Sequence, residues 1–233
     1  MLILQRYLKL CGKLLNSETM IYAEQILKES KIEKIDERIT RFILGPNSWC
    51  CYLIEDRKNV LIDASYPVVK PLSDVKVDAI AITHPHFDHI AFAQEIIETN
   101  RPKVYASKEA AAWLERYKHE LVPKKYNSYK PLERWKTPST VLPFEITDFV
   151  KDGDVISTGT LSLRVLEMPG HHCPGEICLY EANKGILFSG DVWFGDEIYG
   201  SSKFREGNEK LLKDSIKKLK ALKVKKLLPG HII

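Results

Sequence analysis

Three histidines and one aspartate lie within six residues of one another, a spacing that suits the binding of metal ions. The segment reads His84-Pro85-His86-Phe87-Asp88-His89 and closely follows the apolar stretch 77–82. Side chains two residues apart on an extended backbone project to the same side, so His84 and His86 can bind one ion together. Asp88 and His89 fall at the turn into a predicted helix and point toward a second ion. The pattern therefore predicts a metal site at the end of a strand.

Further candidate ligands follow three later stretches, each at the point where a predicted strand ends. They lie in the segments Met168-Pro169-Gly170-His171-His172, Ser189-Gly190-Asp191 and Pro229-Gly230-His231. Each segment alone is a weak signal, because Pro-Gly and Gly-Asp pairs are most often simple turns. Together they place six of the seven histidines at strand ends, where the loops of a sandwich edge can converge on one site.

The composition is that of an ordinary globular protein and excludes several classes. The chain has 233 residues, 44% hydrophobic and 28% charged, which argues against disorder, collagen-like repeats and a disulfide scaffold. No apolar run approaches the roughly 20 residues of a membrane span. The N-terminal segment 1–15 is interrupted by basic residues and lacks a small-residue cleavage site, so we expect an amphipathic helix rather than a secretory signal. Five cysteines, an odd number, suit reduced thiols, and we expect a cytoplasmic protein.

Charge gives little reason to expect a nucleic-acid partner. The net charge is only +4, from 35 basic and 31 acidic residues. Two basic stretches, 116–136 and 203–226, could attract an anionic partner. A solvated, lysine-rich helix face is the more common origin of such runs. We therefore expect a small-molecule substrate, no membrane and no specific nucleic-acid binding; the oligomeric state stays open, with a homodimer as one alternative.

The periodicity predicts one domain over residues 1–233, with residues 1–34 as an N-terminal helical extension. Predicted strands are short and rich in β-branched and aromatic residues: 36–44, 49–55, 59–63, 77–82, 103–107, 148–151, 154–158, 161–167, 176–181, 185–189 and 225–228. Predicted helices are 88–99, 108–117 and 207–222. Two runs of strands with helices outside them imply two packed sheets flanked by helices. The proline-rich stretch 118–147 lacks a clear period and is typical of a lid, a binding loop or a partly helical excursion.

The sequence resembles the metallo-β-lactamase superfamily over residues 36–231. The resemblance is carried, in the family's order, by Asp63, Thr83-His84-x-His86-x-Asp88-His89, Pro169-Gly170-His171, Ser189-Gly190-Asp191 and Pro229-Gly230-His231. It implies an α+β fold, the four-layer αβ/βα sandwich, in which two β-sheets are flanked by helices and a two-metal site lies at one edge. It also implies the ligand set. His84, His86 and His171 would bind the first metal; Asp88, His89 and His231 would bind the second, and Asp191 would bridge them.

The doubled histidine leaves one ligand open. Counting from the preceding strand makes His171 the ligand, whereas counting back from Pro174-Gly175 makes it His172. We favour His171, because the Pro-Gly turn before it recurs before His231 and such a turn fixes the direction of the next side chain. His172 would then support a ligand or face the substrate.

Among the branches of the superfamily, the glyoxalase II-like hydrolases are the most similar, through Gly190-Asp191-Val192-Trp193-Phe194. Glyoxalase II continues after the last ligand into a helical, glutathione-binding domain, whereas this sequence stops two residues after His231. We therefore expect a substrate other than a glutathione thioester. Trp193, Phe194 and Tyr199 are candidates for lining the substrate pocket, although the first two suit the core equally well.

The resemblance implies a hydrolase that carries two metal ions per chain and attacks an ester, thioester or related bond with a metal-bridging hydroxide. Asp88 would orient that hydroxide. The nitrogen and carboxylate ligands suit zinc, while iron and manganese remain open. Two alternatives belong to the same superfamily: a sulfur dioxygenase with a single iron on His84-, His171- and Asp191-type ligands, and a nucleic-acid phosphodiesterase.

Overall fold

The structure is a computed structural model, and it describes residues 30–44, 48–65, 72, 75–91, 93–117, 144–171, 174–204 and 206–233. The helices predicted within 1–29 and most of the irregular stretch 118–147 lie outside the described residues. The prediction of a helical extension over residues 1–34 is wrong at its C-terminal end, because Lys31–Lys34 forms a strand. This strand is exposed at every position and carries two lysines, as edge strands commonly do.

The first sheet contains seven strands in chain order. They are β1 (Lys31–Lys34), β2 (Ile39–Leu44), β3 (Trp49–Ile54), β4 (Val60–Ile62), β5 (Ala79–Ala81), β6 (Lys103–Ser107) and β7 (Asp148–Val150). Strands β1 to β4 pair antiparallel, and β4 to β7 pair parallel. The parallel strands are joined through the helices α1 (Phe87–Ile90), α2 (Ala93–Asn100) and α3 (Lys108–Tyr117).

The second sheet contains five strands in the order β14-β11-β10-β9-β8. They are β8 (Val155–Ser157), β9 (Ser162–Glu167), β10 (Ile177–Glu181), β11 (Ile186–Gly190) and β14 (Lys226–Pro229). A small hairpin of β12 (Trp193–Gly195) and β13 (Ile198–Tyr199) follows β11. Helix α4 (Glu209–Lys220) begins after Asn208, whose side chain accepts a hydrogen bond from the backbone N–H of Leu211 and so caps the helix.

Three apolar clusters hold these elements in four layers. One joins the first sheet to α1, α2 and α3, the second lies between the sheets, and the third joins the second sheet to α4. Cys50 and Cys51 illustrate the alternation of β3, because they belong to the second and first cluster respectively. The predicted fold of two sheets flanked by helices is therefore confirmed. Within the described residues, no helix has the length and apolarity that crossing a membrane would require.

Candidate metal centre

All seven predicted ligands lie at one edge of the sandwich, each just after a strand. His84, His86, Asp88 and His89 follow β5 of the first sheet. His171, Asp191 and His231 follow β9, β11 and β14 of the second sheet. The two sheets are joined at this edge by backbone hydrogen bonds from Ile177 N to Thr83 O (2.9 Å) and from Cys50 N to Gly230 O (2.7 Å). The ends of strands from both sheets therefore converge on a single site.

The seven side chains form two adjacent groups. The first consists of His84, His86, His171 and Asp191, and the second of Asp88, His89 and His231. Within each group one nitrogen or oxygen atom per residue lies within 4.8 Å of all the others. The structure thus brings together every residue that the sequence predicted, in the division that the resemblance implied.

In the first group, three imidazole rings converge through their nitrogens. His86 Nδ1 lies 2.8 Å from His84 Nε2 and 3.1 Å from His171 Nε2, and His171 Nε2 lies 3.5 Å from Asp191 Oδ2. Ligand atoms about 2.0–2.1 Å from a tetrahedral zinc ion are separated by about 3.3 Å from each other. These separations suit one ion between the three rings.

Asp191 faces both groups. Its Oδ1 lies 3.3 Å from His89 Nε2, and its Oδ2 lies 3.2 Å from His231 Nε2. His231 Nε2 is also 3.1 Å from Asp88 Oδ2, which completes the second group. Because Asp191 Oδ2 also lies 3.5 Å from His171 Nε2, this carboxylate can contribute to both groups.

Two buried polar atoms of the centre lack a hydrogen bond, which tests whether a metal fits. They are His89 Nε2 and Asp191 Oδ1. The two atoms lie 3.3 Å apart and pair electrostatically, but without hydrogen-bond geometry. Buried polar groups normally make a hydrogen bond, because leaving one unmade costs about 1–3 kcal/mol. Both atoms are standard metal ligands and both point into the site, so a bound ion would satisfy them. The donor set of imidazole nitrogens and carboxylate oxygens fits zinc, and it also accepts iron or manganese.

Hydrogen bonds on the far side of three rings set which nitrogen is available. His171 Nδ1 donates to the carbonyl of Ser201 (2.9 Å), and His89 Nδ1 donates to Asp63 Oδ2 (2.7 Å). The Thr83 hydroxyl donates to Asp63 Oδ2 (2.8 Å), so His84 Nδ1, 3.1 Å away, must donate to Thr83 Oγ1. When each ring is neutral, its Nε2 therefore carries the lone pair that faces the centre, the arrangement that metal-ligating histidines need.

Asp63 supports both groups from a left-handed backbone conformation. Its φ is 58°, which is uncommon for a residue other than glycine. The conformation allows its carboxylate to accept hydrogen bonds from Thr83 N (2.8 Å), from the Thr83 hydroxyl and from His89. Through Thr83 and His89, this one carboxylate orients a ligand of each group.

The charges of the metal-free centre differ between the two groups. Burial lowers the pKa of His84 and of His171, so both rings are neutral at neutral pH. Burial also lowers the pKa of His231, but the carboxylates of Asp191 and Asp88 outweigh it and raise that pKa to about 10. Asp191, Asp63 and Asp88 likewise raise the pKa of His89 well above its ordinary value, against the opposing effect of burial.

Metal loading is expected to release protons from the second group. His89 and His231 are protonated at neutral pH without metal, and a ligating imidazole must be neutral, so filling both groups should release about two protons per chain. The affinity of the second group should rise with pH, because protons compete with the metal below the raised pKa values. Calorimetric titration with Zn²⁺ in buffers of different protonation enthalpy measures the release. His231→Ala should reduce it to about one, and a release near zero in the unchanged protein would contradict the charge assignment.

Gly230 lies so close to the centre that only glycine fits. An added Cβ would overlap Asp191 Oδ1 and lie 2.6 Å from His89 Cε1. Gly230→Ala should therefore push His89 and Asp191 apart, release the second ion and cost about 1–3 kcal/mol of stability through overpacking. Metal analysis and thermal unfolding measure both effects.

The control for this substitution is Gly195→Ala. It places an alanine at a φ of 115°, which is strained, but its Cβ would meet only Leu227 Cδ2 at 3.8 Å. It should reduce stability without loss of metal. If Gly230→Ala keeps both ions, the crowding has no effect on the centre.

Aromatic side chains flank the centre on both groups. The ring of Phe194 lies 5.9 Å from that of His231, as a pocket-lining role requires. The ring of Phe204, which the sequence did not single out, lies 4.8 Å from that of His86 and 5.0 Å from that of His171. Phe204 lies in a loop that carries no motif. In the sequence, only the run of small residues before it indicates that this loop can approach the centre closely.

The other predicted residues lie elsewhere. Trp193 packs against the cluster beneath α4, and its Nε1 donates to Asp196 O. Tyr199 donates to Glu197 and lies beneath Lys220, so its side chain belongs to a surface network. His172, together with Cys173 and His119, lies outside the described residues, and the assignment of His171 rather than His172 stays a prediction.

A comparison with known families agrees with this geometry. The family model of the metallo-beta-lactamase superfamily matches residues 48–231, which include all seven predicted ligands. The chain belongs to the metallo-β-lactamase superfamily. The resemblance recognised in the sequence is therefore confirmed.

Individual members of the superfamily add detail. The acyl-coenzyme A thioesterase MBLAC2 of Gallus gallus is 33% identical over 157 residues, which are 64% of this chain and 54% of that protein. The chain thus spans about half the length of that relative. The hydroxyacylglutathione hydrolase GloC of Haemophilus influenzae is 25% identical over 174 residues, 72% of this chain and 76% of that protein. Among solved structures, TTHA1623 in a di-iron-bound form matches with a TM-score of 0.65 and 26% identity, covering 81% of this chain and 90% of that one.

Proposed function

We propose that this member of the superfamily is a hydrolase of small-molecule thioesters that uses two metal ions, mostly zinc. The single observation that carries the proposal is the position of Asp191, whose carboxylate lies 3.5 Å from His171 of the first group and 3.2–3.3 Å from His231 and His89 of the second. When bound, two such ions supply a nucleophile from water at neutral pH and polarise the oxygen of the bond under attack. His84, His86 and His171 would hold the first ion, and Asp88, His89 and His231 the second.

Asp88 is the protein group that we assign to the reacting water. Burial raises its pKa, but His89 and His231 outweigh this and hold the pKa well below its ordinary value, so the group is a carboxylate at neutral pH. It is half-buried, and one of its oxygens lies 3.1 Å from His231 Nε2. An ionised carboxylate at this place accepts a proton from water and directs the attack.

The preference for a thioester is supported by the relatives and by the walls of the site. One matched protein is an acyl-coenzyme A thioesterase and another a hydroxyacylglutathione hydrolase, and both names describe the cleavage of thioesters. Phe194 and Phe204 flank the two ligand groups, and an apolar flank suits an acyl chain. An acyl group on a thiol carrier fits this combination better than a phosphodiester.

We also propose that the protein works in a reducing compartment and that iron is the alternative to zinc as its metal. The described cysteines, Cys50, Cys51 and Cys178, are free and buried, which suits the cytoplasm. The di-iron form of TTHA1623 supports iron as the alternative to zinc.

The proposal is tested by metal analysis of the purified protein, followed by assays of the loaded protein on matched substrates. The set comprises acyl-coenzyme A, an acylglutathione, the oxygen ester of the same acyl group, and a short RNA. We expect two ions per chain and the fastest cleavage on a thioester with an apolar acyl group. One iron per chain with oxygen consumed on adding a persulfide would favour the dioxygenase alternative. Cleavage of RNA, with binding that weakens steeply between about 50 and 200 mM salt, would favour the phosphodiesterase.

A further inference from the structure

Glu176 is a fully buried acidic residue beside the first ligand group. Its side chain is 0% exposed. One carboxylate oxygen accepts a hydrogen bond from the backbone N–H of His171 (3.2 Å), and the other lies 3.9 Å from Nδ1 of His84. The carboxylate therefore lies behind two of the three histidines of this group, on the side away from the ligand atoms.

The backbone around Glu176 connects the two loops that carry these histidines. Its carbonyl accepts from Met168 N (2.9 Å), which closes the loop that contains His171. The next residue, Ile177, donates to the carbonyl of Thr83 (2.9 Å), directly before His84. A change in the position of Glu176 would thus shift ligands that come from both sheets.

Burial of a carboxylate is costly unless hydrogen bonds and nearby positive charge offset the lost hydration, which is worth several kcal/mol. The N–H of His171 supplies one hydrogen bond. A divalent ion on His84 and His171 would add positive charge close to the carboxylate. Glu176 acts on these ligands by two routes: the hydrogen bond from the backbone N–H of His171, and the closeness of its carboxylate to the ring of His84 (3.9 Å).

We propose that Glu176 is a positioning residue of the first metal group: it fixes the loop of His171 and favours a cation on His84 and His171. The inference rests on the proposed metal-binding function and assigns to one residue the control of metal affinity at one of the two groups. It does not place Glu176 in contact with metal or substrate.

The chain offers a matched control five residues away, since Glu176 directly precedes β10 and Glu181 ends it. Glu181, at the other end of β10, is 2% exposed, and its carboxylate accepts hydrogen bonds from Lys184 N (2.6 Å) and Asn183 Nδ2 (3.3 Å). Glu181→Gln and Glu176→Gln make the same substitution at two buried carboxylates, but of the two only Glu176 lies beside histidines of the centre.

The experiment is a competition between the protein and a coloured Zn²⁺ chelator, which reports the affinity of each ion. Both Gln variants are prepared in the unchanged chain and in an Asp88→Ala background, which disables the second group and leaves the first to be measured alone. We expect Glu176→Gln to weaken the first group by about 10–100-fold, in both backgrounds, and to leave the second group unchanged. Glu181→Gln should leave both affinities unchanged.

The inference is overturned if Glu176→Gln binds two ions as tightly as the unchanged chain, or if Glu181→Gln weakens the first group equally. The affinity of the second group reports whether each variant is folded. If Glu176→Gln does not fold, Glu176→Asp gives the same measurement, because it draws the carboxylate back by one methylene, and unchanged affinity would again overturn the inference. An unchanged protein that binds no Zn²⁺ would instead contradict the proposed function.

Discussion

Asp191→Ala is expected to abolish hydrolysis. Its carboxylate is the only described side chain whose oxygens face both ligand groups, at 3.2 to 3.5 Å from nitrogens of His89, His171 and His231. Loss of a group that merely supports a metal ligand costs about 10–100-fold, so loss of this shared ligand should cost more than about 100-fold in activity. Turnover of the thioester and metal content, measured on the same preparation, check the result.

Asp214→Ala is the control for this change, because it removes an exposed carboxylate that pairs with Lys210 on the same helix, α4. It should retain activity and both ions. Circular dichroism should show that Asp191→Ala keeps its secondary structure, since the sheets pack through apolar clusters that do not include Asp191. A variant that keeps most of its activity would show that Asp191 does not bridge the ions.

His171→Ala is expected to remove the first ion and nearly all activity. His171 Nε2 lies 3.1 Å from His86 Nδ1, and its Nδ1 is fixed by the carbonyl of Ser201. Two imidazoles and a carboxylate would remain in that group, too few to retain an ion tightly at a centre built for four ligands. Elemental analysis after dialysis against a weak chelator measures the loss.

The neighbouring substitution His172→Ala decides between the two histidines. With His171 as the ligand, His172→Ala should keep both ions and change mainly the kinetic constants for the substrate. Loss of an ion in His172→Ala, with both retained in His171→Ala, would make His172 the ligand.

The sequence was most informative where chemistry depends on local spacing. His84 and His86 alternate on extended backbone, and a helix begins at Phe87, so the position of these ligands follows from the chain itself. The boundaries of β6 and α3 agree with the prediction at both ends, because an apolar alternation passes directly into a helical period at Lys108.

Features that depend on distant parts of the chain were missed. The strand β1 is polar at three of its four positions and becomes a strand only by pairing with β2. The hairpin of β12 and β13 is too short to give a period. Glu176 and Phe204 lie beside His84 and His86, about 90 residues or more away in the sequence, and only the small residues before Phe204 indicate such a contact.

The origin of the ligands in two different sheets has a mechanical consequence. Each ion would be held partly by the segment after β5 and partly by loops of the second sheet, so each would cross-link the two sheets at the edge of the sandwich. Such a cross-link stabilises only the folded state, and the stabilisation grows with the concentration of free metal. Without the ions, backbone hydrogen bonds such as those of Cys50 and Ile177 would still join the sheets at this edge, next to the apolar cluster between them. The supply of metal would then determine how stably the two sheets are held together at this edge, as well as whether the protein can catalyse a reaction.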